Sequence, residues 1–127
     1  MSYKEYTVRV YKNGTKEWYL NGKLHREDGP AAEWADGTKE WYQNDLLHRE
    51  DGPAIEWNTG SKEWYQNGEL HREDGPAIEW DDGSKDWFLN GEEYTEEEFL
   101  KKTSPVKEYT VAELEKLLGH PVKIVKE

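Results

Sequence analysis

A step of 23 residues runs through most of this chain. HREDGPA begins at His25, His48 and His71. Trp18, Trp41, Trp64 and Trp87 keep the same step, as do Trp34, Trp57 and Trp80, and Pro30, Pro53 and Pro76. So do Gly14, Gly37, Gly60 and Gly83. Self-similarity at a fixed period marks a modular array, in which each unit buries its surface against its neighbours. The units run Tyr11–Glu33, Trp34–Glu56, Trp57–Glu79 and Trp80–Lys102. The fourth loses HREDGPA after Gly91 and reads EEYTEEEFLKK instead, as a terminal cap should.

Composition limits what such units can be. Of 127 residues, 34% are hydrophobic and 35% charged, with a mean hydropathy of −1.18. That balance alone suits disorder. Seven Trp, eight Tyr and two Phe argue for folding, and predict a thin structure whose core is made of rings rather than aliphatic side chains. The absence of Cys excludes disulfides, thiolate metal sites and Cys nucleophiles. No apolar run approaches the roughly 20 residues of a membrane span, and no leader at Met1 directs secretion. A net charge of −11 disfavours direct binding to nucleic acid or to an anionic membrane.

Each unit carries two turn signals: a corner at Asp36-Gly37, Thr59-Gly60 or Asp82-Gly83, and a second at Asn21-Gly22, Asn67-Gly68 or Asn90-Gly91, with Asn44-Asp45 as the variant. Such pairs suit type I′ turns, whose central residues need positive φ. Between them lie runs such as SKEWYQ and AIEW, rich in strand formers. EDGP makes the return bend, where Pro cannot donate to a ladder. The expected fold is all-β: a single elongated antiparallel meander sheet of two-stranded units, with a small α-helical C-terminal cap. Two-residue turns at both corners would set Ile55 opposite Trp64, Ala54 opposite Tyr65, Tyr65 opposite Leu70 and Trp64 opposite His71. One face would then hold Ile55, Trp57, Trp64 and His71, and the other Ala54, Tyr65 and Leu70. An error of one residue would exchange the faces.

The ends depart from the period. Residues 1–10 read as an N-terminal capping strand, 11–91 as repeats, and 92–127 as a helical cap with a short final strand. Aligned by Gly14, Arg9 falls where Ile55 sits, so either the first turn differs or something covers Val8 and Val10. Thr95 with Glu98 and Thr110 with Glu113 fit the capping box. They predict helices over Glu96–Lys102, broken by Ser104-Pro105, and over Val111–Leu118, stopped by Gly119. Val111, Leu114, Leu117 and Leu118 form the apolar face of the second helix. So short a helix should dock on the sheet and protect an edge. Val122–Val125 reads as the closing strand.

The segment WYQNGELHREDGPAIEWDDGSKDW resembles the MORN repeat, which shares the 23-residue period, an aromatic before an N-G corner, a His after it and a second D-G corner. The resemblance covers about 11–91. D-G-P-A stands where typical MORN units carry G-x-G, which makes this a divergent, MORN-like variant. The HREDGPA form with its YTEEEF cap and ELEKLLG helix looks like small proteins of bacteriophages and large viruses. The resemblance implies a module for protein contacts, some relatives binding membranes or lipids, and for a phage protein a place in the cytoplasm of the infected bacterium.

Catalytic chemistry finds little support. Two strands per unit put equivalent residues roughly 9–10 Å apart, so His25, His48 and His71 cannot share one metal. His71, Arg72, Glu73 and Asp74 are consecutive and point in different directions. Three equal copies suit a scaffold, with His beside Trp, Arg paired with carboxylates and Asp holding a bend. Asp81, Asp82 and Asp86, or Glu73 with Asp74, lack EF-hand spacing and read as solvated turns. No G-x-S-x-G, P-loop or G-x-G-x-x-G occurs. The sequence therefore predicts no catalytic residue, no metal site and no cofactor. Trp41, Trp57, Trp64 and Trp80 read as structural. The Trp row as a platform for bases lacks a basic groove; as a platform for sugars it stays open.

Charge is uneven. Units 34–56, 57–79 and 80–102 carry net −4, −3 and −5, hence −12, while residues 1–10 carry +1 and the rest are neutral. A rigid acidic sheet suits a basic protein partner and would steer it; equally, it keeps exposed rings soluble. The expected partner-binding residues are His48, Arg49, Glu50, Asp51, His71, Arg72, Glu73, Asp74, Asp81 and Asp82. The expected function is non-enzymatic protein binding, as a phage-encoded inhibitor of a host defence or nucleic-acid enzyme. A structural scaffold or a carbohydrate-binding module are the alternatives. Partner identity and oligomeric state are beyond the sequence.

Overall fold

A computed structural model describes residues 3–104, 109–123 and 125. In chain order the strands are β1 (Tyr6–Val10), β2 (Lys16–Leu20), β3 (Lys23–Leu24), β4 (Ala32–Glu33), β5 (Lys39–Glu40), β6 (Tyr42–Gln43) and β7 (Leu46–Leu47). They continue as β8 (Ile55–Glu56), β9 (Lys62–Glu63), β10 (Tyr65–Gln66), β11 (Glu69–Leu70), β12 (Ile78–Glu79), β13 (Lys85–Leu89) and β14 (Glu92–Tyr94). Helices α1 (Glu96–Thr103) and α2 (Val111–Leu118) follow. The main sheet is an antiparallel meander in the order β1-β2-β4-β5-β8-β9-β12-β13-β14, with β3 on β2. Each internal unit thus lays two rungs in the sheet, β5 and β8 or β9 and β12. Beyond its Trp it adds a hairpin, β6–β7 or β10–β11.

The two turn classes part company. Asn21-Gly22, Asn44-Asp45, Asn67-Gly68 and Asn90-Gly91 all have positive φ at both residues, the type I′ signature, and Tyr65 does face Leu70. At the other corner only Gly14, Gly37, Gly60 and Gly83 turn left-handed. Gly60 N–H donates to the Trp57 carbonyl and Trp57 N–H to that of Ser61, which makes a three-residue loop with a bulged Gly. The extra residue shifts the register by one: Ile55 and Ile78 pair with Glu63, not Trp64. Glu63 ends β9 and bonds Trp57 on the Ile55 face, whereas Trp64, the next residue, turns to the opposite face beneath Arg72. The expected grouping of Ile55, Trp57 and Trp64 on one face is corrected accordingly.

Within the repeats the core is not made of rings. The buried hydrophobic residues are Ala31, Ala32, Ala54, Ile55, Ala77, Ile78 and Phe99. A single-layer sheet has only its own loops to pack against. Alanine fits beneath a bend, whereas an indole needs a second layer to disappear. Hydrogen bonds between successive units do much of the joining. Buried Thr15, Thr38 and Ser61 accept through their hydroxyls from the backbone N–H of Ala35, Asn58 and Asp81. Gln43 and Gln66 donate from Nε2 to the carbonyls of Arg26 and Arg49.

At the N-terminus the first corner is like the rest, with Tyr11 N–H donating to Thr15 and Gly14 at φ 96°. The strand differs instead: β1 pairs with β2 along five residues, Tyr6 to Val10, and leaves Val8 and Val10 exposed. At the C-terminus both capping boxes form and Gly119 closes α2 in the left-handed conformation. Helix α1 packs on β13 and β14 and buries Phe99, covering the end that lacks an HREDGPA loop. Helix α2 buries none of its residues, so the expected docking falls to α1. Val122, Lys123 and Val125 form no strand; Ile124 and Pro105 lie outside the described residues.

Candidate functional site

HREDGP folds into a loop organised by its arginine. The guanidinium of Arg49 lies 3.8 Å over the Trp41 ring and that of Arg72 lies 3.9 Å over Trp64, with Arg26 at 4.0 Å over Trp18. Each Nε donates to the Asp two residues on, Arg49 to Asp51 and Arg72 to Asp74. Each Nη1 donates to a proline carbonyl, Pro53 or Pro76 at 3.0 Å, and to Glu56 or Glu79. The charge-assisted bond from Arg72 holds the Asp74 carboxyl below its usual range. The glycine follows from this packing. A Cβ at Gly52 or Gly75 would stand 2.9 or 2.8 Å from the guanidinium carbon, so a side chain there would push the arginine out of its place.

Histidine joins one loop to the next unit. Nδ1 of His25, His48 and His71 accepts from the backbone N–H of Asn44, Asn67 and Asn90, at 2.9 to 3.1 Å. An accepting Nδ1 carries no proton, so Nε2 bears it and points toward Glu27, Glu50 or Glu73. The three imidazoles are thereby fixed in one tautomer and spent on the backbone.

The ten expected binding residues divide on this geometry. His48, Arg49, His71 and Arg72 are largely covered and internally bonded. Glu50, Asp51, Glu73 and Asp74 stand out from the loops with side chains 80–87% exposed. Adjacent loops enclose open grooves of about 710 Å³ between Arg49–Gly52 and His71–Asp74, and about 690 Å³ one unit earlier. Asp81 and Asp82 lie elsewhere, on the last corner. There Asp82 accepts from the N–H and hydroxyl of Ser84, which lower its pKa. Among the described residues no three His, Asp or Glu side chains gather as a metal site, and no helix is long and apolar enough to cross a membrane.

On the opposite face the Trp step noted in the sequence gains a feature that was not singled out there, an acid tied to each ring. Tyr11, Trp34, Trp57 and Trp80 occupy the same place in successive units, each 41–44% exposed. Each donates to the carboxylate six residues on: Tyr11 to Glu17, Trp34 to Glu40, Trp57 to Glu63 at 2.5 Å and Trp80 to Asp86 at 2.8 Å. Glu40 and Glu63 also accept from the hydroxyls of Tyr42 and Tyr65. Burial, together with the adjacent carboxylate, pushes the Tyr42 hydroxyl up to about 12 and that of Tyr65 higher still. The signal was legible: an aromatic followed six residues later by an acid, recurring every 23 residues. The structural assignment of Trp41, Trp57, Trp64 and Trp80 therefore covers two environments, with Trp41 and Trp64 roofed by arginine and Trp57 and Trp80 open.

No family model matches this chain, and neither the curated proteins nor the solved structures include a significant match.

Proposed function

We propose that the chain is a non-enzymatic, MORN-like protein-binding module that meets a basic, nucleic-acid-binding surface through the carboxylates of its HREDGP loops. The observation that carries this reading is the display of Glu50, Asp51, Glu73 and Asp74 above arginines already engaged beneath them. The loops repeat at a step of about 9–10 Å, so several carboxylates can meet a row of cations together. Arginine and histidine serve as internal supports for that display rather than as contact anchors. A phage-encoded inhibitor of a host defence or nucleic-acid enzyme, acting in the cytoplasm of the infected cell, would use such a surface to occupy the enzyme's nucleic-acid groove.

The test starts by capturing the partner from host lysate and measuring its association rate against salt. Surface charges are screened over about 8 Å at physiological ionic strength, so the rate should fall as salt rises. Glu50→Lys with Glu73→Lys should slow association by about tenfold or more and weaken competition with nucleic acid. These two positions are chosen because Asp51 and Asp74 also hold the arginines. A rate indifferent to both salt and charge reversal would leave the acidity as a solubility device and remove the basis of the proposal.

A further inference from the structure

Four aromatic rings on the face opposite the HREDGP loops form a ladder with fixed steps and fixed ring orientation. The steps are fixed because each corner is bonded to the one before it through buried Thr15, Thr38 and Ser61. Orientation is fixed because each ring is tied at its polar edge to a carboxylate, Glu17, Glu40, Glu63 or Asp86. Two rungs per unit at 4.7–4.9 Å make the step about 9.5 Å. A polyproline II helix advances about 9.3 Å per three-residue turn. Over the three steps from Tyr11 to Trp80 the mismatch adds to roughly 0.6 Å, and a helix without internal hydrogen bonds can bend to follow a twisted sheet.

From this match we infer that the ladder of Tyr11, Trp34, Trp57 and Trp80 binds a basic, proline-rich segment of a partner protein in the polyproline II conformation, one turn per ring. Aromatic grooves suit such segments because their low conformational entropy makes ordering cheap. Proline packs on every ring, and the arginines or lysines between prolines reach the carboxylate beside it. A neutral glycan could stack on the same rings but would leave those carboxylates without a counter-charge, so the charge pattern favours the peptide. This surface is separate from the loop carboxylates of the proposed function and goes beyond that reading.

Titration of the intact chain with Pro-Pro-Arg peptides, read by Trp fluorescence, tests the inference. Peptides of about four, seven and ten residues add one turn at a time. Affinity should rise roughly fivefold with each added turn, the gain of one more aromatic contact. A peptide of the same composition with its prolines placed out of period should bind more weakly. Trp57→Leu should abolish most of the gain of the longest peptide, with circular dichroism confirming the fold, while Glu50→Lys with Glu73→Lys should lower the affinity of all three peptides alike and leave the gain per turn intact. If length and proline spacing make no difference on the wild-type chain, or if a neutral hexose oligomer quenches Trp fluorescence and the peptides do not, the inference is overturned. The loop proposal would survive that result, because it is read from salt and loop variants instead.

Discussion

Trp57 and Trp64 belong to one repeat unit and have opposite fates. Trp64 lies beneath the guanidinium of Arg72, which is itself held by Asp74, Pro76 and Glu79. Trp57 turns the other way, gives its N–H to Glu63 and keeps 41% of its surface open. In a sheet one layer thick, burial is supplied by whatever loop folds back over a face. The HREDGP loop lays its arginine over Trp64 on one face, while on the other Ile55 is buried and Trp57 stays open. An indole therefore supports the fold on one face and stands open to solvent on the other.

The largest effect expected from this contrast is on stability. Trp64→Ala removes the ring on which Arg72 stacks and should cost about 3 kcal/mol, the lower end for an aromatic truncation because the ring is half-buried. Trp57→Ala should cost only about 1 kcal/mol, the scale of its hydrogen bond. Urea denaturation of the two variants measures the difference. Equal losses would mean that the arginine roof contributes nothing and that the two faces are energetically alike.

A smaller effect isolates the roof without touching a ring. Gly75→Ala places a methyl group 2.8 Å from the Arg72 guanidinium carbon and should push it off Trp64. The expected cost is about 1 kcal/mol, the worth of a cation–π contact, and the Trp emission should shift as the ring meets water. Gly60→Ala meets no neighbour but must hold a positive φ, so its cost is backbone strain with no change around Trp64.

The carboxylate side of the open face should respond to alkali. The hydroxyls of Tyr42 and Tyr65 are raised above their ordinary value of 10.0, Tyr42 to about 12. Since the folded state holds these protons more tightly than the unfolded state, their contribution is complete below pH 10. It is lost as pH rises through about 12. Circular dichroism against pH, with tyrosinate absorbance recorded in parallel, should show unfolding begin in that window. Tyr42→Phe with Tyr65→Phe should flatten the dependence. An unchanged alkaline limb would show that the Trp–Glu–Tyr links do not couple to folding.

Much of the architecture could be read from local chemistry. Four Asn-led turns, two capping boxes and the Gly119 stop came out as expected because each rests on the dihedral preference or hydrogen bond of a few adjacent residues. The corner at Thr59-Gly60 did not. A Gly there fits a two-residue or a three-residue loop equally well, and the choice moves every side chain after it to the other face. The binding residues were legible as a charged string, yet their division into covered supports and displayed carboxylates was not. That division depends on Arg72 reaching the Trp64 ring, eight residues back along the chain.

By itself, then, the sequence determined the period, the antiparallel meander, the helix ends and the acidity of the middle units, because each follows from residue identity or from neighbours within a turn. The tertiary structure decided which rings are roofed, which carboxylates face solvent and which helix docks. Those outcomes depend on loops folding over a sheet face and on hydrogen bonds such as His48 to Asn67, which join residues about one repeat apart. Such contacts exist only once neighbouring units stand side by side, and no local preference encodes which face a loop will cover.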